Sequence, residues 1–295
     1  MRKFATIFRS GCAIACLTTF AYFQAPVDAN AQFVADWEAR NTIKHTDVDS
    51  LFASDWSGNS RTVIGGFDLD KDGKQEMILT DYGGMTVRVF EYDVVNDVFE
   101  EVWKAPPDTS GNNKRPGSNP RIVTISDFDG DDKMEITFPF ATDASGWYIY
   151  EWDGVTGSDN YGTVYSSLFT AEADTCCPGG SGYRADHDAV SVMDVDGDDK
   201  QEFIVHARRG SPRGTLICSV DGDIEHNAGG AGFESWNTEF WTNRSDYGGG
   251  SPLHSIPADL DGDGTYEIVH HTWNNFNFYN VDVLGADSYQ APDVA

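Results

Sequence analysis

Basic residues are scarce in this chain. Lys and Arg number 20 against 48 Asp and Glu in 295 residues, a formal charge of -28. Such a surface repels polyanions, which excludes nucleic acid and anionic membrane as general partners. Cysteine is sparse too, at 5, with no Cys-x-x-Cys spacing, so a zinc–thiolate site has no support. Beyond residue 25 no apolar run approaches the roughly 18 residues that a membrane-spanning helix needs. No segment carries a 3.6-residue hydrophobic period, and no nucleophilic serine motif or Cys–His pair of recognisable spacing is present. What the chain does have is apolar material: 40% hydrophobic residues, including 18 Phe, 12 Tyr and 8 Trp, enough for a sizeable core and against global disorder.

The N-terminus reads as a secretion signal over residues 1–31. Arg2, Lys3 and Arg9 precede an apolar run, Cys12 to Phe23, and Ala29-Asn30-Ala31 supplies a small-x-small cleavage site before Gln32. Cleavage removes three bases and one acid, leaving 264 residues with 47 acids, 17 bases and a charge of -30. The expected location is therefore secreted, at the cell surface or in the periplasm, with no membrane-spanning segment in the mature chain. Three cysteines remain, and in an oxidising compartment Cys218 can bridge to Cys176 or Cys177, or the vicinal pair can bridge to itself.

A repeat runs the length of the chain. Asp68-Leu-Asp70-Lys-Asp72-Gly73-Lys-Gln-Glu76 recurs as Asp127 to Glu135, Asp194 to Glu202 and Asp259 to Glu267, with first aspartates 59, 67 and 65 residues apart. Each loop is flanked by β-branched and aromatic runs that read as strands. Before the loops stand Thr62 to Phe67, Ile122 to Ser126, Ala189 to Met193 and His254 to Ala258. After them come Met77 to Leu79, Ile136 to Phe138, Phe203 to Val205 and Ile268 to Val269. Third strands follow at Val87 to Tyr92, Trp147 to Trp152, Gly214 to Val220 and Phe276 to Val281, and weaker fourth strands in three units. Four strands per unit of about 60 residues is the grammar of an all-β propeller blade. The units are 61–120, 121–186, 187–253 and 254–295.

Strand–DxDxDGxxE–strand at this period resembles the FG-GAP/VCBS repeats of integrin-type β-propellers and many secreted bacterial proteins, over roughly residues 60–285. The resemblance implies four-stranded blades, each with a calcium loop between its first and second strands. It also raises a question of number, since such propellers usually close with six to eight blades. The expected fourth strand of the last unit is missing. Either residues 32–60 supply it as a closing strand, or these four blades belong to a larger propeller with further domains; the second reading is favoured.

Three aspartates at positions 1, 3 and 5 of a tight loop, with a carboxylate at position 9 on the next strand, assemble a cage of hard oxygens that suits Ca²⁺ better than Mg²⁺. The ligands are Asp68, Asp70, Asp72, the Lys74 carbonyl and Glu76; Asp127, Asp129, Asp131, the Lys133 carbonyl and Glu135; Asp194, Asp196, Asp198, the Lys200 carbonyl and Glu202; and Asp259, Asp261, Asp263, the Thr265 carbonyl and Glu267. About four structural ions follow, one per loop. Position 6 calls for a left-handed turn, which Gly73 and Gly264 supply freely and Asp132 and Asp199 tolerate. These loops hold 18 of the 48 acids, and unneutralised they would repel one another.

The repeat register places a second set of residues at the opposite end of the strands: Arg61, Arg121, His187 and His254, with Asp81, His206, Arg208, Arg209, His270 and His271. An imidazole-rich basic face on an acidic protein is a candidate anion-binding surface. Trp147, Tyr148, Trp152, Trp236, Trp241 and Trp273 fit packing between blades, with sugar stacking as the alternative. Two functions follow. The favoured one is a secreted, calcium-stabilised binding or adhesion module for an extracellular glycan or protein. The alternative is a polysaccharide lyase or other carbohydrate-active enzyme acting on acidic polysaccharide, with His187, His206, Arg208, His254 and His271 as candidate catalytic residues.

Overall fold

The computed structural model describes residues 60–291, apart from 83, 85, 97, 107–119, 141–145, 171–181, 184–189, 208–209, 212–213, 231, 233, 243–251 and 273–277. All of these fall in one of the chain's two compact units, Ile43–Ala295. The expected signal segment and residues 32–59 lie outside the described residues, as do His187, Arg208, Arg209, Cys176, Cys177 and Trp273.

Four antiparallel sheets of four strands account for the repeat, each in simple up-and-down order. The first contains β1 (Val63–Phe67), β2 (Glu76–Asp81), β3 (Thr86–Asp93) and β4 (Val98–Lys104). The second contains β5 (Thr124–Ser126), β6 (Glu135–Phe140), β7 (Gly146–Glu151) and β8 (Ser167–Phe169). A short pair, β9 (Gly182–Tyr183) with β12 (Gly210–Ser211), stands apart from these sheets. The third sheet contains β10 (Val190–Met193), β11 (Glu202–Ala207), β13 (Gly214–Asp221) and β14 (Ser235–Trp241). The fourth contains β15 (Pro252–Ala258), β16 (Glu267–Thr272), β17 (Phe278–Gly285) and β18 (Ser288–Gln290). The first strands of successive later units, β5, β10 and β15, are neighbours, so the sheets are arranged as propeller blades.

The second strands show why the blades stack. Counting from the position-9 glutamate, residues +1 and +3 point to the preceding blade and residue +2 to the following one, the two-residue period of a strand. In blades two and three both faces are covered, and these side chains are apolar apart from buried Thr137. Ile78 of blade one packs with Ile136 and Phe138 of blade two. Phe128 of blade two packs with Phe203 and Val205 of blade three, its ring meeting Phe203 edge-on at 5.4 Å. Val195 and Ile204 of blade three pack with Ile268 and Val281 of blade four.

Two expectations are corrected here, and a third is borne out. The last blade has its fourth strand: β17 runs to Gly285, past the expected end at Val281, and turns through Asp287, in the left-handed region at φ 52°, into β18. Cys218 is a free, buried thiol rather than half of a disulfide. Trp147, Tyr148 and Trp152 are buried between blades, and Trp236 and Trp241 pack against the blade two–blade three cluster, the inter-blade packing expected of them.

Candidate metal centres

The four loops fold by one hydrogen-bond pattern, all of it local. The position-5 amide donates to the position-3 carboxylate, as from Asp72 to Asp70 at 3.0 Å and from Asp263 to Asp261 at 3.1 Å. The position-6 amide reaches back to the first aspartate, as from Gly73 to Asp68 and Gly264 to Asp259, each at 3.1 Å. The position-7 amide donates to position 5, as from Lys133 to Asp131 at 2.8 Å. Aspartates favour such turns because the side chain can replace a backbone acceptor two residues away. Position 6 is left-handed in every copy: Gly73 at φ 92°, Asp132 at 69°, Asp199 at 72° and Gly264 at 93°. Position 4 is left-handed as well, at Lys71 (61°), Gly130 (73°), Gly197 (79°) and Gly262 (80°), a requirement that the acid spacing alone does not disclose.

The position-9 glutamate closes each loop. One carboxylate oxygen, Oε2, accepts the amide of position 2: Leu69 to Glu76 at 2.6 Å, Phe128 to Glu135 at 3.0 Å, Val195 to Glu202 at 2.6 Å and Leu260 to Glu267 at 2.8 Å. The other oxygen, Oε1, is buried and without a hydrogen-bond partner in Glu76, Glu135 and Glu202. A buried carboxylate oxygen left unpaired is costly. Three sets of carboxylate oxygens lie within 4.8 Å of one another: Asp68, Asp70 and Glu76; Asp127, Asp129 and Glu135; Asp194, Asp196, Asp198 and Glu202. Burial, reinforced by neighbouring carboxylates, pushes Glu76 up to about 7, Glu202 up to about 8 and Glu135 well above the usual carboxylate range. The hard-oxygen donor set, the orphaned oxygens and the raised pKa values fit a bound cation, and these groups can hold a metal ion.

At the opposite end of the strands, two members of the expected basic face are buried. His206 and His270 are buried, at 2% and 0% exposure, where blades three and four meet. Thr215 Oγ1 lies 2.8 Å from His206 Nδ1 and 2.9 Å from His270 Nδ1, and the two imidazoles approach to 3.0 Å. Burial, then the neighbouring His206, holds His270 well below the ordinary imidazole range. His206 and His270 are therefore not groups of an exposed face: they are a polar plug in an inter-blade interface. Asp81 is buried against Arg88 at 3.0 Å, and Arg88 also bonds Glu101 at 2.7 Å. Arg61 and Arg121 lie over the ring of Tyr82, at 4.5 and 5.7 Å from its centroid. His271 is half-buried in β16 and is paired in register with His254 of β15. The alternation along β11 and β16 was the available signal for the buried imidazoles, since +4 of one blade and +3 of the next face the same interface.

No protein-family model matches the chain, and no curated protein matches it. Among solved structures it is similar to a Bacillus licheniformis rhamnogalacturonan lyase PL11, at 22% identity and TM-score 0.44, over 78% of this chain and 42% of that one. The exotype rhamnogalacturonan lyase YesX is similar at 19% identity and TM-score 0.40, over 72% and 39%. An exo-beta-1,3-galactanase from Clostridium thermocellum, 1,3Gal43A, is similar at 11% identity and TM-score 0.38, over 75% and 46%. The chain thus spans less than half the length of each.

Proposed function

We propose that the chain is a secreted, calcium-loaded array of FG-GAP/VCBS-type blades that serves as a binding module for an extracellular glycan or protein. The observation that carries the metal reading is the repeated one: a buried position-9 carboxylate with one oxygen bound to the loop amide and the other unpartnered, in blades one, two and three. Calcium is the cation of choice because six or seven hard oxygens on a flexible turn suit it, whereas Mg²⁺ keeps its waters. The ions are structural, since each pins the turn between two strands of a rigid blade. The binding role rests on that rigidity, which presents the loops joining the strands at fixed positions.

The test uses the full chain as secreted. N-terminal sequencing is expected to begin at Gln32. In calcium, the protein is expected to be retained on immobilised glycans or matrix protein, and incubation with acidic polysaccharides is expected to yield no unsaturated ends. Unsaturated ends would overturn the binding reading in favour of a lyase. Absence of calcium-dependent stabilisation would overturn the metal reading.

A further inference from the structure

Each covered loop meets not only its own blade but the hairpin between the third and fourth strands of the next. Gly157 N–H donates to the Asp70 carbonyl at 2.9 Å, Ile224 N–H to Asp129 Oδ2 at 2.7 Å, and Asp287 N–H to Asp196 Oδ2 at 2.6 Å. These hairpins bring further acids, Asp159, Asp223 and Asp287, towards loops already crowded with carboxylates. The third strand adds more: Glu91 and Glu151 stand opposite Glu76 and Glu135 in the β2–β3 and β6–β7 registers. A second carboxylate layer therefore lies behind the loops, and like charges so placed require a countercharge.

In the first junction Lys74 supplies part of the countercharge, while Glu91 Oε1 and Asp159 Oδ1 are buried without a hydrogen-bond partner. Lys74 Nζ bonds Asp72 and Glu91, each at 2.6 Å, beside the set Asp70, Asp72 and Glu91. The second junction gathers a larger close-set group, from two blades. Asp129, Asp131 and Glu151 of blade two and Asp223 of blade three offer four carboxylate oxygens within 4.8 Å of one another. Lys133 contacts Asp131 and reaches Glu151 Oε1 only at 3.3 Å. One ammonium against four carboxylates leaves the set strongly negative. Glu151 is fully buried, and its second oxygen, Oε2, has no hydrogen-bond partner.

We infer that the junction between blades two and three is a second divalent-cation site, distinct from the ion of the loop, in which Asp129, Asp131, Glu151 and Asp223 hold calcium and tie the two blades together. Asp129 and Asp131 have two oxygens each and can serve both ions, whereas Glu135 belongs to the loop alone and Asp223 to the junction alone. This site stands beside the loop reading and can fail separately from it.

The experiment counts bound calcium ions on the full chain by native mass spectrometry. Three variants are compared with the parent: Asp223→Asn, Glu135→Gln and the double variant. Asp223 lies on an exposed hairpin, so Asp223→Asn is expected to fold, with an unchanged circular dichroism spectrum. The expected result is one ion lost in Asp223→Asn, one in Glu135→Gln and two in the double variant. An unchanged count in Asp223→Asn overturns the junction site, as does a double variant that loses only a single ion. An unchanged count in Glu135→Gln with one lost in Asp223→Asn overturns the loop reading and leaves the junction site standing.

Discussion

The first three loops and the fourth share a fold but not an environment. Position 2 is 1% exposed at Leu69, 1% at Phe128 and 3% at Val195, yet 61% exposed at Leu260. The position-9 carboxylate is buried in the first three and half-buried in Glu267. The hydrogen bonds within the loop are nonetheless the same, down to the amide of position 2 on the glutamate. Loop geometry is thus a local property, written within nine residues. Burial, and with it the cost of the carboxylate cluster, is conferred by the next blade. Ile256 and Leu284 of blade four are exposed as well, so its outer face is uncovered among the described residues.

The sharpest way to break this comparison is to truncate position 2. Phe128→Ala removes a ring in edge contact with Phe203 and Trp236 and is expected to cost about 3–5 kcal/mol. Leu260→Ala is expected to stay within about 0.5 kcal/mol. Urea denaturation of both variants in calcium decides it, and equal losses would mean that blade four is covered in solution.

The next effect concerns the carboxylate. In calcium at 100-fold excess over its Kd, Glu135→Gln is expected to lose about 2.7 kcal/mol, the linkage energy of one ion. Glu267→Gln is expected to lose less than half as much, because water competes at the half-buried site. With calcium chelated near pH 8 the sign reverses for Glu135→Gln, which then removes an uncompensated buried charge and is expected to be more stable than the parent. A variant destabilised equally with and without calcium would mean that Glu135 only braces the loop.

These outcomes bear on what could be read from residues alone. Most of each loop was legible, including left-handed Asp132 and Asp199, because every bond that shapes it spans at most seven residues. Position 4 had a signal in Gly130, Gly197 and Gly262, but Lys71 conceals it in the first copy. Glu91, Glu151 and Asp223 were illegible as partners of the loops: Asp223 meets Asp129 across 94 residues of chain, through a hairpin whose docking depends on blade packing. His206 and His270 read as surface groups because they stand near strand ends, and only the stacking of blade four on blade three buries them.

That imidazole pair makes a third contrast, since the position of His270 is occupied by Leu79, Phe138 and Val205 in the other blades. Its folded-state pKa is depressed by burial, so the unfolded chain takes up the proton more readily. Stability is fully present above the unfolded value of about 6.5 and is lost as pH falls below it, by up to about 1.4 kcal/mol per pH unit. In saturating calcium, the parent is expected to lose about 1–2 kcal/mol more than His270→Leu between pH 7 and pH 5. Parallel pH profiles would mean that the pair is protonated in the folded state or open to solvent.

The smallest effect separates the loops by position 6 rather than by cover. Asp199 sits at φ 72°, where a Cβ is disfavoured, while Gly264 holds the equivalent place at φ 93°. Asp199→Gly relieves that strain but enlarges the unfolded ensemble, two opposing terms of about 1 kcal/mol each. Removing one negative charge from a crowded loop tips the balance, so a gain of at most about 1 kcal/mol is expected without calcium. The gain should shrink once an ion neutralises the loop, and Gly264→Asp should show the opposite sign under both conditions. A loss for Asp199→Gly that appears only in calcium would instead make the Asp199 carboxylate a participant in metal binding, and the two kinds of loop would then differ in ligands and not merely in backbone strain.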